Sequence, residues 1–229
     1  AAGFRKGDII QNTFSYHLTP AGFMFDGAAR SLGCVVVPAG TGQTDLQVQI
    51  AADVGVTGYT GTPSFLYALL KRGREVDRKL NIEVAFVSGE MLPNSLRDEL
   101  ENDFGVRVLQ GYGIADLGLV AYECAEKKGM HLHHNCIVEI IDIATGNRCA
   151  PGEVGEVVVT VFDEAYPLIR FGTGDLSSVM EEATCACGRT SPRLAGWLGR
   201  VGDAVKVRGL FIRGSQIDGV MKNFPEVVR

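Results

Sequence analysis

The sequence VAFVSGEMLPNSLRDELENDFGVRVLQGYGIAD at residues 84–116 contains two short apolar segments separated by a longer, more polar one. Val84–Ser88 and Val106–Gln110 have the composition of buried strands, and Pro93–Phe104 is predicted to be a helix. A strand, a helix and a second strand in this order are typical of a parallel sheet whose strands are connected by helices.

The same alternation extends from residue 8 to residue 115. Further predicted helices are residues 21–32, 46–54 and 63–72, and further predicted strands are residues 34–38 and 56–60. Residues 21–32 carry Ala28, Ala29 and Leu32 on their apolar side. These elements predict an α/β subdomain at residues 1–118, built on a mostly parallel sheet with helices.

Beyond residue 118 the pattern changes. The β-branched segments 136–142, 155–162 and 204–207 lie between Gly and Pro turns, which is typical of antiparallel strands. We predict a smaller antiparallel β subdomain at residues 119–201 that belongs to the same large domain. Residues 202–229 are predicted to begin a further, mobile C-terminal domain.

The composition argues against several classes of protein. With 46% hydrophobic residues, 21% charged residues and a net charge of −5, the chain has no excess of basic residues for nucleic acid. It has no apolar run of about eighteen residues for a membrane span and no apolar signal segment at its start. It has six cysteines, but a chain this long and this rich in apolar residues does not need a disulfide framework. We expect a cytoplasmic protein with neither a nucleic-acid nor a membrane partner.

Ligands of parallel sheets bind at the carboxyl ends of the strands. Two Gly-containing segments are predicted to form loops at such ends, Ser88-Gly89-Glu90 and Gln110-Gly111-Tyr112-Gly113. A third segment, residues 167–175, has the sequence PLIRFGTGD and leads to Gly199-Arg200-Val201-Gly202-Asp203. Each segment alone is more often a simple turn, so only their combination indicates a binding site.

In order and separation, these segments resemble the adenylate-forming superfamily. Smaller motifs narrow the resemblance to the phenylacetate–CoA ligase family: Gly3–Asp8, Gln11–Tyr16, Gly42–Thr44, Gly61–Ser64, Tyr122–Cys124 and Val138–Asp142. The resemblance covers essentially the whole chain. It implies an ATP-dependent acid–CoA ligase that adenylates a carboxylate, such as phenylacetate or a related aryl acid, and then forms the CoA thioester. Adenylylation of a non-carboxylate acceptor and a non-catalytic nucleotide-binding module remain alternatives, and a homodimer is left open.

The resemblance also implies roles for individual residues. ATP or AMP binding falls to Ser88, Gly89, Glu90, Gln110, Gly111, Tyr112, Gly113, Asp175 and Arg200. Glycines allow the backbone to approach adenine closely, the Tyr112 ring offers an aromatic face, and the Asp175 carboxylate can accept hydrogen bonds from the ribose diol. Asp116 and Arg200 are the expected catalytic residues, with Asp116 as the Mg²⁺ ligand.

One departure from the family pattern lies beside this carboxylate. Ala115 replaces a hydroxyl residue and Asp116 replaces a glutamate, which removes a possible phosphate contact worth about 1 kcal/mol. The alternative for Asp116 is a helix N-cap, and that for Asp175 is a plain turn. An acyl pocket is implied at Phe14, Tyr16, Tyr59, Thr60 and Gly61, with core packing as the alternative for Phe14 and Tyr16.

The cysteines suggest a structural Zn²⁺ site. Cys124, His131, Cys185 and Cys187 form a plausible set of four ligands, with His133 as an alternative to His131. Unliganded thiols on a surface loop are the competing interpretation. A Cys-x-Cys-Gly segment occurs in some members of the resembled family and is missing from others, which favours a structural role over a catalytic one.

The resemblance also implies that parts of the enzyme lie outside this sequence. The family's phosphate-binding loop is expected before Gly3, and the lysine of its small C-terminal domain is expected after Arg229. Residues 200–203 resemble the hinge of that domain, with Gly202 at a position where an Asp is usual. We therefore expect an internal fragment that has little catalytic activity by itself.

Overall fold

The computed structural model describes residues 2–182, 184–207, 210–213 and 220. The chain divides into two compact units. The first unit comprises Ala1–His131 with Ala186–Gly188, and the second comprises Leu132–Cys185 with Arg189–Arg229. The first unit therefore extends beyond residue 118, where the sequence predicted a boundary, because the strand that follows this residue pairs with the sheet of the first unit. Most of the predicted unit at residues 202–229 lies outside the described residues.

The first unit alternates strands and helices, as predicted. Its strands are β1 (Ile9–Asn12), β2 (Val35–Pro38), β3 (Gly58–Gly61), β4 (Val84–Val87), β5 (Arg107–Ile114) and β6 (Gly118–Glu123), together with β7 (Met130–Leu132), whose last residue is counted in the second unit. Its helices are α1 (Ala21–Ser31), α2 (Thr44–Val54), α3 (Pro63–Glu75) and α4 (Asn94–Asp98), and α4 continues as a π-helical segment at Glu99–Asp103.

These strands follow the order β7-β6-β5-β4-β3-β1-β2. The pairs β1–β2, β1–β3, β3–β4 and β4–β5 are parallel, whereas β5 and β6 are antiparallel. The predicted α/β fold with a mostly parallel sheet is confirmed.

The core of the first unit follows from the alternation of side chains along its strands. Ile9 packs against a large apolar cluster, and its neighbour Ile10 belongs to a second, smaller cluster. The large cluster includes Leu66 and Leu69 of α3, which are three residues apart and therefore lie on the same side of the helix. Each of these leucines is at most 1% exposed and contributes about 1.5–3 kcal/mol by burial.

One predicted boundary in the sheet is wrong. The sequence predicted a strand ending at Gln110 and a loop at residues 110–113, but β5 continues to Ile114. The reason is an antiparallel partner: Gly111 pairs with Tyr122, and Ile114 pairs with Gly118 across a tight turn. The Gly-rich segment is therefore part of a hairpin, with an irregular register between Tyr112 and Gly113.

The second unit contains the expected antiparallel strands. A three-stranded sheet is formed by β8 (Cys136–Ile141), β9 (Gly155–Val161) and β10 (Leu168–Ser177), in the order β10-β9-β8. A short strand, β11 (Arg193–Leu194), is followed by the hairpin of β12 (Ala204–Val207) and β13 (Leu210–Arg213). The residues of the predicted hinge form a 3-10 turn at Val201–Asp203.

Candidate functional site

A small apolar cavity lies in the first unit, where β4 ends and β5 turns into β6. Its volume is about 160 Å³. The large apolar side chains around it are Phe14, Met24, Phe25, Ile114 and Leu119. Ser88, Gly89, Gly113, Ala115 and Gly118 also line it. Three of the predicted nucleotide-site residues and one predicted acyl-site residue, Phe14, therefore meet at this cavity.

Aromatic rings form one wall of this cavity. The rings of Phe14 and Phe25 stack with their centroids 4.5 Å apart and an angle of 18° between their planes. Phe25 also contacts Phe86 of β4, at a centroid distance of 5.9 Å. Met24 and Phe25 were missed by the sequence interpretation. Phe25 could have been found from helical periodicity, because it lies three and four residues before Ala28 and Ala29 on the same side of α1.

The loop after β4 is fixed by polar contacts to neighbouring elements. The Ser88 hydroxyl donates to the Gly111 carbonyl at 2.8 Å, which connects the end of β4 to β5. Gly89 has a φ of +85°, a backbone conformation that residues other than glycine rarely adopt. The Glu90 carboxylate accepts from the Ser64 N–H at 2.7 Å, in the first turn of α3. A negative charge at a helix N-terminus is stabilising, so Glu90 has a structural partner.

Gln110, a predicted nucleotide-site residue, is part of a buried polar network. Its backbone N–H donates to Glu123 at 3.0 Å, and its side-chain amide donates to the same carboxylate at 2.8 Å. Glu123 is 3% exposed and also accepts from Arg97. This network, which the sequence interpretation missed, fixes the backbone immediately before Gly111-Tyr112-Gly113.

Asp116 lies in the turn between β5 and β6, and its side chain is exposed. The Leu117 N–H donates to the Ile114 carbonyl at 3.1 Å and closes this turn. No helix begins at Asp116, which rules out the N-cap alternative. The carboxylate is accessible from solvent, as a Mg²⁺ ligand must be, and its role stays a prediction.

The remaining predicted acyl-site residues make local contacts instead of lining the cavity. The Tyr16 hydroxyl accepts from the Asn12 amide at 2.8 Å and donates to the Asp26 carboxylate at 3.0 Å. Burial, with further contributions from Asp26, raises the pKa of Tyr16 to about 12. Tyr59 is 0% exposed, accepts from the Thr13 hydroxyl and donates to the Thr62 carbonyl. Burial raises the pKa of this phenol also.

Thr60 and Gly61 lie beside Tyr59 on β3. The Thr60 hydroxyl is buried and has no hydrogen-bond partner in the part of the chain that the structure describes. A Cβ at Gly61 would overlap the hydroxyl groups of Thr13 and Tyr59, so glycine is required for packing. Contact of these residues with an acid stays a prediction.

The second unit brings together two residues that the sequence assigned to the nucleotide. Nε of Arg200 lies 3.4 Å from a carboxylate oxygen of Asp175, and the two backbones form an isolated β-bridge. The indole N–H of Trp197 donates to the same oxygen at 3.0 Å. Asp175 is 6% exposed, while the Arg200 side chain is 66% exposed. The sequence interpretation missed Trp197, which is the only tryptophan of the chain.

The four cysteine and histidine residues selected as metal ligands lie close together. One ligand atom from each of Cys124, His131, Cys185 and Cys187 lies within 4.8 Å of the other three. Sγ of Cys187 is 3.4 Å from Nε2 of His131. His133 does not belong to this group; its ring stacks on His134 at 4.5 Å, and burial together with the charge of His134 lowers the pKa of His133.

Among the described residues, no helix has both the length and the apolar character needed to cross a membrane.

Comparison with known proteins places these features in context. Residues 13–161 match the family model for "AMP-binding enzyme". Over 100% of its length, the chain is 34% identical to the phenylacetate-coenzyme A ligase of Thermus thermophilus, and it covers 53% of that protein. It is 31% identical to the Pseudomonas putida phenylacetate-coenzyme A ligase over 95% of this chain and 51% of the relative. The chain thus spans about half the length of the curated relatives it matches.

A solved structure agrees in fold. The open conformation of 2-hydroxyisobutyryl-CoA ligase in complex with 2-HIB-AMP and CoA superimposes with a TM-score of 0.87 and 26% sequence identity. The match covers 97% of this chain and 51% of that one.

Proposed function

Because this chain belongs to the AMP-binding enzyme family, we propose that it supplies the acyl-binding and nucleotide-binding part of an ATP-dependent acid–CoA ligase. The observation that carries the proposal is the apolar cavity lined by Phe14, Ser88, Gly89 and Gly113. In this reaction a carboxylate oxygen attacks the α-phosphorus of ATP, and pyrophosphate leaves. The CoA thiolate then attacks the carbonyl carbon of the acyl adenylate, and AMP leaves.

The size and chemistry of the cavity favour an aryl acid. An apolar protein cavity of about 150 Å³ can bind benzene, and the present cavity has a similar volume of about 160 Å³. The stacked rings of Phe14 and Phe25 offer a flat apolar wall to a second ring. Phenylacetate or a related acid would place its ring against this wall and extend its carboxylate out of the apolar space. The phenylacetate-coenzyme A ligases among the relatives are consistent with this substrate class.

For the nucleotide, we assign the ribose to Asp175 and Arg200. A carboxylate can accept two hydrogen bonds from a cis-diol, and a guanidinium adds donors that reach either ribose or phosphate oxygens. Trp197 holds one oxygen of Asp175 in place through its indole N–H. Tyr112 is assigned to the face of the adenine, and Gly111 and Gly113 to the close approach of the backbone.

Mg²⁺ is assigned to Asp116. The ion prefers hard oxygen ligands and keeps several of its waters, which suits one exposed carboxylate on a turn. A single carboxylate ligand therefore fits a loosely held ion that accompanies ATP. When bound, Mg²⁺ would neutralise part of the phosphate charge.

A second candidate function is favoured by Ala115. This residue lines the cavity in place of the hydroxyl residue of the family pattern. A missing phosphate contact would be consistent with adenylylation of a non-carboxylate acceptor. Formation of a thioester with free CoA separates the two candidates, since only the ligase consumes CoA.

The test is a panel of acids with ATP and CoA, measuring both AMP and thioester. The protein should be the complete polypeptide that carries this chain, because the chain covers only about half the length of its relatives. The 229 residues alone are expected to give little ATP–pyrophosphate exchange. We expect the highest kcat/KM for arylacetates, above 2-hydroxyisobutyrate and acetate. AMP release that is unaffected by any acid would contradict it.

A pair of variants on α1 tests the acyl assignment within this panel. Phe25→Ala removes a ring that lines the cavity, and we expect the KM for an aryl acid to rise by about tenfold or more, corresponding to roughly 1.4 kcal/mol or more. Phe23→Ala is the matched control, because Phe23 is 65% exposed on the same helix and does not line the cavity. Equal effects of the two variants would refute the acyl assignment.

A further inference from the structure

We propose that Cys124, His131, Cys185 and Cys187 together bind one Zn²⁺ in a closed, structural site. This inference does not depend on the ligase assignment, because none of the four residues is among those that line the cavity.

The geometry of the four ligand atoms suits a tetrahedral ion. Zinc lies about 2.3 Å from thiolate sulfur and about 2.0–2.1 Å from imidazole nitrogen, so the ligand atoms of a tetrahedral site are about 3.5–3.8 Å apart. All four atoms are already within 4.8 Å of one another. Sγ of Cys187 and Nε2 of His131, at 3.4 Å, are almost at the separation that a shared zinc would impose. Small side-chain rotations are sufficient to complete the site.

The donor set selects the metal. Three thiols and one imidazole suit zinc and other ions that accept sulfur, whereas Mg²⁺ and Ca²⁺ require oxygen ligands. None of the six cysteines, all of which lie in described parts of the chain, is in a disulfide. Four protein ligands leave no position for water or substrate, which is the property that distinguishes structural from catalytic zinc sites.

Two segments of the chain supply these ligands, and the first runs from the end of β6 to β7. Cys124 follows β6, and its carbonyl accepts from the Lys127 N–H at 3.0 Å, in a turn that also contains Gly129 at a φ of +76°. The chain then enters β7, which contains His131. Cys124 and His131 are 2% and 0% exposed, so half of the site is deeply buried.

The second segment is the turn Cys185-Ala186-Cys187-Gly188. Gly188 has a φ of +81°, which allows the chain to reverse direction directly after the second cysteine. Before this turn, the carbonyls of Glu182 and Thr184 accept from the buried guanidinium of Arg193, at 3.1 and 3.0 Å. The segment that leads into Cys185 is therefore held by the fold itself. Preorganised ligands of this kind lower the entropy cost of binding a metal.

The first experiment measures metal directly. The chain is purified without chelator, and its zinc content is determined by elemental analysis. We expect a stoichiometry near one zinc per chain and a lower thermal midpoint after removal of the metal with a strong chelator. Substitution of Co²⁺ should give the intense visible absorption of tetrahedral thiolate coordination. A chain that contains no zinc, binds no Co²⁺ and keeps the thiols of Cys124, Cys185 and Cys187 fully reactive would overturn the proposal, as would an iron–sulfur chromophore.

The second experiment assigns the ligands. Cys185→Ser and Cys187→Ser should each reduce the zinc content severalfold and shift the Co²⁺ spectrum toward fewer sulfur ligands. Cys149→Ser is the matched control, since Cys149 is likewise partly buried but lies outside the group. If a variant fails to fold, the Co²⁺ spectrum of the unmodified chain still reports the number of sulfur ligands. Unchanged zinc content in both variants, or equal loss in the control, would refute the assignment.

Discussion

The guanidinium of Arg97 places Nη2 2.7 Å from one carboxylate oxygen of Glu123 and 2.9 Å from the other. The two side chains are only 12% and 5% exposed. Nη1 of Arg97 also donates to the Val108 carbonyl at 2.8 Å, so the pair connects α4 to β5 and β6. Through Glu123 it further fixes Gln110, which immediately precedes the Gly-rich part of β5.

Removing the cation from this pair is expected to destabilise the fold strongly. Arg97→Met leaves the Glu123 carboxylate buried without its charge partner, and such changes cost about 3–5 kcal/mol. The measurement is the free energy of unfolding in urea. Arg78→Met is the matched control, because Arg78 and Asp53 form an ion pair that is about half exposed, and the loss of such a pair costs less than about 1 kcal/mol. Similar losses in both variants would show that the Arg97–Glu123 pair has no special role.

Gly111 is expected to tolerate no side chain. A Cβ at this position would lie 2.5 Å from Cζ of Phe86 and 3.0 Å from Cδ1 of Leu119. Gly111→Ala should therefore destabilise the chain by about 1–3 kcal/mol through overpacking, and Phe86→Leu should recover part of that loss. Thermal or urea unfolding measures both changes.

The control for this substitution is Gly27→Ala in α1. A Cβ at Gly27 meets no atom within 4 Å, and alanine is favoured over glycine inside a helix by about 0.8–1.0 kcal/mol. The control should therefore be neutral or stabilising. A stable Gly111→Ala variant would mean that Phe86 and Leu119 can move apart without cost.

Tyr16 makes stability depend on pH in the alkaline range. Burial, followed by the hydrogen bond to Asp26, raises the pKa of its hydroxyl from 10.0 to about 12. The folded state therefore keeps this proton to a higher pH than the unfolded state does. The corresponding stabilisation is complete below pH 10 and is lost as the pH rises toward 12.

Tyr16→Phe should show this dependence by difference. At pH 8 the free energy of unfolding of the variant is expected to be lower by about 1–2 kcal/mol, because Asn12 and Asp26 lose a partly buried hydrogen-bond partner. The difference in free energy of unfolding between wild type and variant, measured in urea at each pH, should narrow as the pH is raised through 10 and above. Tyr166→Phe serves as the control, since Tyr166 is 56% exposed. A gap that stays constant with pH would contradict the raised pKa.

The sequence predicted the alternation of strands and helices because strands such as β2 (VVVP) and β4 (VAFV) are continuous apolar segments. Helix α3 was predicted for a similar reason, since Leu66, Leu69 and Leu70 recur at helical spacing. The extension of β5 was missed because Gly111 and Gly113 have no strand preference of their own. Pairing with β6 places them in the sheet, and that pairing is a tertiary effect.

Site residues with distinctive chemistry could be predicted from the sequence, whereas site residues whose roles depend on contacts elsewhere in the fold could not. Cys124, His131, Cys185 and Cys187 could be grouped because few other residues share their chemistry, and the structure places them together. Trp197 and Glu123 were missed for the opposite reason. Their roles depend on partners elsewhere in the fold, Asp175 for the indole and Arg97 for the carboxylate, and no local pattern in the sequence indicates either contact.

Trp197 provides the most direct test of the account. As the chain's single tryptophan, hydrogen-bonded to Asp175, it should report nucleotide binding through its fluorescence. Titration with AMP or ATP is expected to give a saturable change, and Asp175→Asn should weaken the affinity by about 10- to 150-fold, the worth of a hydrogen bond to a charged group. A titration without any change, or an unaltered affinity in Asp175→Asn, would contradict the assignment of this residue to the nucleotide.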